Sequence, residues 1–178
     1  MIPPKDLPNL LNYNKRSGTL KWKPRREELF KSGRDCRAWN TLYANKVAFT
    51  ATHGAGYKHS TIWGKSYLAH RVIWALVTGS WPSGEIDHIN GKRDDNRWKN
   101  LRDVSHAENL RNACLSSQNK SGHIGIFWND ANKKWRADIC KDGQRHRLGE
   151  FASKKDAIAA RQAAEIEWGF HPNHGRAA

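Results

Sequence analysis

Glu85-Ile-Asp-His-Ile-Asn-Gly-Lys-Arg-Asp-Asp-Asn96, followed by Asn100-Leu-Arg102 and Glu108-Asn109, decides how this 178-residue chain is read. Residues 85–89 alternate as a short strand, and Asn90-Gly91 is a strong turn dipeptide. A polar loop over 92–99, interrupted only by Trp98, leads into a returning strand at 101–104. Ser105 with Glu108 three residues on has the capping-box pattern, so a helix is expected from about His106 to Ala113. Strand, long loop, strand, helix brings Asp87, His88 and Asn109 into one supersecondary unit, with Asn109 in the helix's first turns.

Those side chains suit phosphodiester hydrolysis. A carboxylate (Asp87) and an amide oxygen (Asn109) are hard ligands for Mg²⁺ or Mn²⁺ rather than zinc. His88 follows Asp87 on the opposite side of the pleat, so it can face the phosphorus while Asp87 faces the metal. A neutral imidazole accepts a proton from water near neutral pH. Asn100 is expected to bond across the loop and fix the orientation or tautomer of His88. Asn96 is expected to tie the loop by side chain-to-backbone bonds. Taken singly, each is an ordinary residue: Asp-His before Asn-Gly reads as a strand end and turn, and a helical Asn as a solvated one.

Composition narrows the partners. The formal net charge of +14, from 31 Lys and Arg against 17 Asp and Glu, points to a polyanion, most simply nucleic acid. The basic excess runs along the whole chain and is least over residues 51–113, where the acidic candidates lie. Three isolated cysteines, Cys36, Cys114 and Cys140, lack any Cys-x-x-Cys spacing, so neither a disulfide framework nor a structural zinc site is expected. No stretch approaches the roughly 18 apolar residues of a membrane span. The expectation is a soluble cytoplasmic protein with no membrane partner.

Upstream, residues 7–11 read as a short helical turn ending at 12–14, and Ser17-Gly18 as a turn into a strand at 19–23 stopped by Pro24. Residues 25–45 read as charged and irregular, with Gly33 as a breaker. Residues 46–51, 57–63 and 66–69 read as a small antiparallel meander turning at Gly54-Ala-Gly56 and Gly64-Lys65. Residues 70–77 switch to helical spacing, with Val72, Ile73, Leu76 and Val77 on one face and Trp74 and Ala75 extending it, until Gly79. His70 beside this Trp-rich core reads as structural, and Arg71 as a phosphate or acid contact.

The joint pattern resembles the HNH endonuclease family, in its phage and intron homing branch. The matching residues are His70-Arg71-Val-Ile-Trp74, Asp87-His88-Ile-Asn90-Gly91, Asp95-Asn96-Arg97, Asn100-Leu101-Arg102 and Glu108-Asn109. They cover roughly residues 7–113. The resemblance implies a ββα-metal core (about 70–113) with one divalent ion, Asp87 and Asn109 as ligands, His88 as general base and Asn100 as loop anchor. Asn109 stands where other branches of the family carry a third His ligand. Arg71 and Arg97 are expected to approach DNA.

Residues 115–122 form a polar linker. Beyond it come strands at 124–128, 134–140 and 144–148, then an Ala-rich helix from Ser153 to about Trp168. Alternation puts Trp135, Ala137 and Ile139 on one face with Leu148 and Phe151, under the helix. Arg136 falls on the other face, with Arg145 and Arg147. The pattern Gly125-Ile126, Trp135-Arg-Ala-Asp-Ile139, Arg147-Leu-Gly-Glu-Phe151, Asp156-Ala157 and Ala163-Ala164 resembles the APETALA2-type DNA-binding domain over about 121–170. That resemblance implies sheet docking onto duplex DNA. Base specificity does not carry over: Ile124 and Phe127 replace the family's flanking arginines, and Arg147 its third-strand Trp.

The whole is therefore read as an α+β protein: a ββα-metal nuclease domain (1–114) with an N-terminal β meander, a linker (115–122), a three-stranded sheet on one helix (123–170) and a tail (171–178). The expected activity is metal-dependent cleavage of double-stranded DNA by a homing nuclease of phage or mobile-element type in a prokaryotic host. Lys134, Arg136, Arg145 and Arg147 would clamp the DNA. A monomer on an asymmetric site is expected, with a dimer left open. The alternative is a non-enzymatic DNA-binding regulator carrying a decayed nuclease half.

Overall fold

Leu-Asn-Tyr-Asn at 11–14 alternates apolar and polar side chains, and it forms a strand rather than the helix end expected from its asparagines. In the computed structural model, which describes residues 1–110, 115, 118–172 and 174–175, α1 (Leu7–Leu10) runs directly into β1 (Leu11–Asn14), antiparallel to β2 (Thr19–Trp22). Gly18, at φ 74°, completes the turn between them. These elements belong to the first of two compact units, Met1–Val104 and Ser105–Ala178.

The stretch read as irregular holds α2 (Gly33–Tyr43). Its start is marked by Ser32, whose Oγ accepts from the Asp35 N–H at 3.2 Å. Gly33 sits at the first helical position and does not act as a breaker. Cys36, Trp39, Asn40 and Tyr43 then recur at helical spacing. The Arg25 guanidinium lies 3.9 Å from the Trp39 ring centroid, and the Asn40 amide bonds both the N–H and the carbonyl of Arg25, at 2.8 and 2.9 Å.

The meander is β3 (Ala51–Thr52), β4 (Lys58–Ile62) and β5 (Lys65–Leu68), in that spatial order. Its first strand is much shorter than the expected 46–51. Asn45 and Phe49 have φ of 63° and 58°, which interrupts extended backbone at both ends of the segment. Between those kinks the chain pairs with β2: Trp22 N–H donates to the Lys46 carbonyl at 3.0 Å, and Ala48 N–H to that of Leu20 at 2.8 Å. Trp63-Gly64, both at positive φ, make the two-residue β4–β5 turn.

α3 (Ala69–Thr78) ends at Gly79, which is left-handed at φ 77°. Ala69, His70, Val72, Ile73 and Ala75 are its buried residues. Leu76, Val77 and Trp74 are only partly covered, so the helix is seated nearer its N-terminus than its apolar pattern implied. It packs with Leu7, Leu11, Leu20, Ile62, Ile86 and Leu101 in one core. Ile86 and Leu101 come from the hairpin β6 (Glu85–His88) and β7 (Leu101–Val104), antiparallel with His88 opposite Leu101. Burying these aliphatic side chains, at about 1.5–3 kcal/mol each, fixes β6 against the helix.

The second unit opens with α4 (His106–Leu110); the expected continuation to Ala113 lies outside the described residues. Its sheet has the order β10 (Gln144–Phe151), β9 (Lys134–Lys141), β8 (Ile126–Asn129), all antiparallel, with α5 (Lys154–Glu167) packed on one face. β8 begins two residues later than expected because Gly125 is at φ 73°. Leu148 and Phe151 differ in parity, so a regular strand cannot place both under the helix. A register shift between Arg147 and Gly149 resolves this: Arg147 pairs with Asp138, Gly149 with Ala137, and Leu148 is the extra residue. Both apolar side chains then join Ile126, Ala137 and Ala157. No helix among the described residues is long and apolar enough to cross a membrane.

Candidate active site

Adjacent residues of β6 point to opposite sides, so Asp87 shares a face with its cross-strand partner Arg102, and His88 with Leu101. Both are buried, at 7% and 3% exposure. Arg102 donates to Asp87 Oδ2 from Nε at 2.8 Å and lies 2.7 Å from it through Nη2. This charge-assisted pair fixes the carboxylate.

His88 meets Asn96, not Asn100. Its Nε2 is 3.2 Å from Asn96 Oδ1, and the Asn96 amide nitrogen donates to the Asp94 carbonyl at 3.3 Å. That second bond turns the Asn96 oxygen toward the imidazole. The proton is thereby placed on Nε2, and Nδ1 becomes the basic nitrogen. Burial pushes the His88 pKa down, outweighing the Asn96 bond and the charges of Asp87 and Asp95 that favour the imidazolium; Arg93 acts in the same direction as burial. His88 is therefore a neutral proton acceptor at pH 7.

Asn100 bonds across the loop, but the contact to His88 expected of it is made by Asn96. Asn100 Oδ1 accepts from the Asn90 N–H at 2.9 Å, and its amide nitrogen donates to the Asp95 carbonyl at 2.8 Å. Its backbone carbonyl accepts from the Ile89 N–H at 2.9 Å. Asn100 thus ties the loop to itself, while Asn96 bonds His88. Sequence spacing could not separate them, since both lie within a loop's reach of His88. Asn90 and Arg97 both bond the Asp95 carboxylate. Arg97 first and Asn90 after it hold the Asp95 pKa down to about 2 against the effect of burial.

The N-terminal hairpin braces this loop from outside. Tyr13 Oη donates to the Asn96 carbonyl at 2.7 Å, and Trp98 N–H to that of Lys15 at 3.2 Å. A Cβ on Gly18 would lie 2.6 Å from the Arg97 backbone nitrogen. Glycine is therefore required there for close approach as well as for its φ. Burial, then the Asp95 charge, raises the Tyr13 pKa to about 12. No sequence signal linked residues 13–18 to Asn96.

Two rings gather around His88. The His70 ring centroid is 5.2 Å from that of His88 at 88°, Tyr57 is 4.9 Å from His70, and Tyr57 is 5.8 Å from His88. The Arg93 guanidinium lies 5.2 Å from the Tyr57 ring centroid and also donates to the Ala55 carbonyl at 2.8 Å. Arg71 Nη1 donates to the Gly84 carbonyl at 3.1 Å, which ties α3 to the start of β6.

Asp87, His88, Asn96 and Asn100 thus stand together in the first unit. Asn109 stands on α4 of the second unit, where its N–H donates to the Ser105 carbonyl at 3.0 Å. The expected capping box is formed: Ser105 N–H and Oγ both meet the Glu108 carboxylate, at 2.9 and 2.8 Å, and Glu108 N–H donates to Ser105 Oγ at 3.3 Å. Among the described residues no three or more His, Cys, Asp or Glu side chains cluster as a metal cage. Asp87 offers one carboxylate, a hard oxygen donor of the kind divalent cations such as Mg²⁺ take.

In the second unit, the cross-strand register puts Arg136, Arg145 and Arg147 on the sheet face opposite α5. Arg145 and Arg147 are exposed, as is Lys134. Arg136 is less open: it pairs with buried Asp138 at 3.1 Å and lies over the Phe127 ring.

Residues 67–111 match the family model described as HNH endonuclease. Among curated proteins the chain is similar to Protein 3.8 of Escherichia phage T7, at 32% identity over 83 residues, 46% of this chain and 69% of that protein. No solved structure matches. The matched interval contains α3, β6, the Asn-braced loop and β7, and so holds the neutral imidazole beside a buried carboxylate: the chain belongs to the same family as the phage protein, and its residues 67–111 are an HNH endonuclease domain.

Proposed function

We propose that the chain is a metal-dependent endonuclease that hydrolyses phosphodiester bonds in double-stranded DNA, as a site-specific homing-type nuclease of a phage or mobile element. The observation that carries this reading is His88: buried, neutral, and fixed by Asn96 so that Nδ1 is its basic nitrogen. His88 takes a proton from water at Nδ1 as the water attacks the phosphorus. Asn96 holds the Nε2–H through the step, and Asn100 keeps the loop that presents Asn96 closed. Asp87 and Asn109 would hold the divalent ion, Mg²⁺ or Mn²⁺, which when bound polarises the phosphate and stabilises the leaving oxygen. Arg102 holds Asp87 beforehand and competes with the cation for it.

Residues 123–170 serve, in this proposal, as an APETALA2-type module joined by the 115–122 linker. Arg145, Arg147 and Lys134 would contact the backbone or base edges, with Arg136 beside Phe127. Arg71 and Arg97 would contribute remaining N–H donors near the scissile site. One chain would bind an asymmetric site as a monomer, and a nick would be the first product.

A second reading, a DNA-binding regulator without nuclease activity, is favoured by one observation: the Asp87 carboxylate already has a cationic partner in Arg102. Incubation of supercoiled plasmid and phage DNA with Mg²⁺, with and without chelator, separates the two. Nicked product that disappears with chelator is expected. Chelator-insensitive DNA binding without any cleavage would favour the regulator.

A further inference from the structure

His70 is an imidazole buried among other rings. It opens α3 at 4% exposure, and among the described residues its Nδ1 has no hydrogen-bond partner. A buried unsatisfied nitrogen is costly, so its neighbours become informative. One is Tyr57, a residue before β4, at 4.9 Å between ring centroids. The other is the proposed base, met nearly perpendicularly at 5.2 Å and 88°. Tyr57 also contacts His88 at 5.8 Å and carries Arg93 on its ring. The imidazole of His88 is thus held by a directional bond to Asn96 at Nε2 and by two rings packed against it.

We propose that His70, backed by Tyr57, is a positioning residue for His88: its ring sets the plane of the His88 imidazole and so the direction in which Nδ1 faces water. The proposal rests on the reading of His88 as the general base. A bond at Nε2 does not by itself set the plane of a ring, and perpendicular packing against a second ring restrains it. Displacement of a catalytic group by about 1 Å is enough to cost on the order of a hundredfold in rate. His70 itself touches neither substrate nor reacting atoms in this scheme, so ring shape, not its own proton, is what the site uses. The charged and titratable groups around this cluster are Arg71, Arg93, Asp87 and Asp95.

The test uses the full-length chain as wild type, His70→Ala, His70→Phe, Tyr57→Ala and His88→Ala, with cleavage measured under single turnover and His88 followed by ¹⁵N NMR. His70→Ala is expected to lower the maximal rate about tenfold to a hundredfold with DNA affinity within about twofold. His70→Phe should restore most of that rate, because it keeps the ring. In the metal-free protein the His88 Nε2–H signal should shift or broaden in His70→Ala and stay near its wild-type position in His70→Phe. Should His70→Ala not fold, Tyr57→Ala carries the same expectations at smaller amplitude. An unaltered His88 spectrum and rate in a folded His70→Ala protein would overturn the positioning role, as would a rate for His70→Phe as low as that of His70→Ala. Full cleavage by His88→Ala overturns the base assignment instead, and the NMR comparison keeps the two failures apart.

Discussion

Replacing Gly18 with alanine should damage a site that Gly18 does not touch. The new Cβ would stand 2.6 Å from both Arg97 N and Asn96 C, and 3.0 Å from Asn96 O, all backbone atoms. Ordinary contact begins near 3.4 Å, so the hairpin turn and the loop must separate by about 0.8 Å unless the turn rebuilds. Asn96 Oδ1 is already 3.2 Å from His88 Nε2. A shift of that size along the bond leaves it broken. Two costs add in stability: about 1–2 kcal/mol for an L-residue at φ 74°, and a further ~1 kcal/mol for the strained or lost loop bonds. Urea denaturation should therefore show a loss of about 2–3 kcal/mol, and single-turnover cleavage a fall on the order of a hundredfold under conditions where the variant stays folded. Gly54→Ala is the control, because a Cβ there meets nothing within 4 Å. A Gly18→Ala protein with wild-type midpoint and wild-type cleavage would refute the idea that the N-terminal hairpin positions the loop.

Acid should weaken the fold through His70. Burial, followed by the neighbouring His88 and Arg71 charges, lowers its pKa to about 3, while the unfolded chain takes up that proton near 6.5. Stability is then fully present above about pH 7.5, is down by about 2 kcal/mol at pH 5 from this group, and keeps falling toward pH 3; denaturation midpoints at pH 7.5 and 5 measure it, and His70→Phe should flatten the slope. Asn100→Ala removes two bonds that close the loop and should cost about 2–3 kcal/mol, with faster amide exchange over residues 90–100 as the readout. Arg145→Ala with Arg147→Ala should weaken DNA binding and reduce the salt dependence of affinity by one to two phosphate contacts, about one unit of slope each, with catalysis at saturating DNA unchanged. Tyr13→Phe should cost about 1 kcal/mol by denaturation, from the bond to the Asn96 carbonyl.

Sequence periodicity carried the local elements well wherever chain geometry alone decides them. The β6 turn, the capping box at Ser105, the Gly79 stop and the helix from Ser153 follow from turn and cap chemistry within a few residues of each. It failed where a long-range partner decides. Residues 46–48 pair with β2 because two positive-φ residues redirect the chain, and no local pattern announces that. α2 was hidden by its charges, although Ser32 and Asp35 mark its cap.

The candidate site divides in the same way. Asp87, His88 and Asn100 were legible because their chemistry is tied to a short motif. That Asn96 rather than Asn100 meets His88 is a choice between two residues of one loop, and the support from Tyr13, Gly18, Tyr57 and His70 depends on elements that are distant in sequence and meet only through packing. The extra residue at Leu148 belongs here too: a strict two-residue period cannot place both Leu148 and Phe151 under α5, and the irregularity becomes necessary once both are required in one core.

The central claim is that His88 is the base of a metal-dependent DNA cleavage reaction. Its most direct test is the single-turnover cleavage rate of His88→Ala against wild type, at saturating Mg²⁺ and DNA, with circular dichroism confirming that the variant is folded. The account predicts Mg²⁺-dependent cleavage by wild type and a loss of on the order of a hundredfold or more in the variant, with DNA binding retained. Cleavage by folded His88→Ala at the wild-type rate would contradict it.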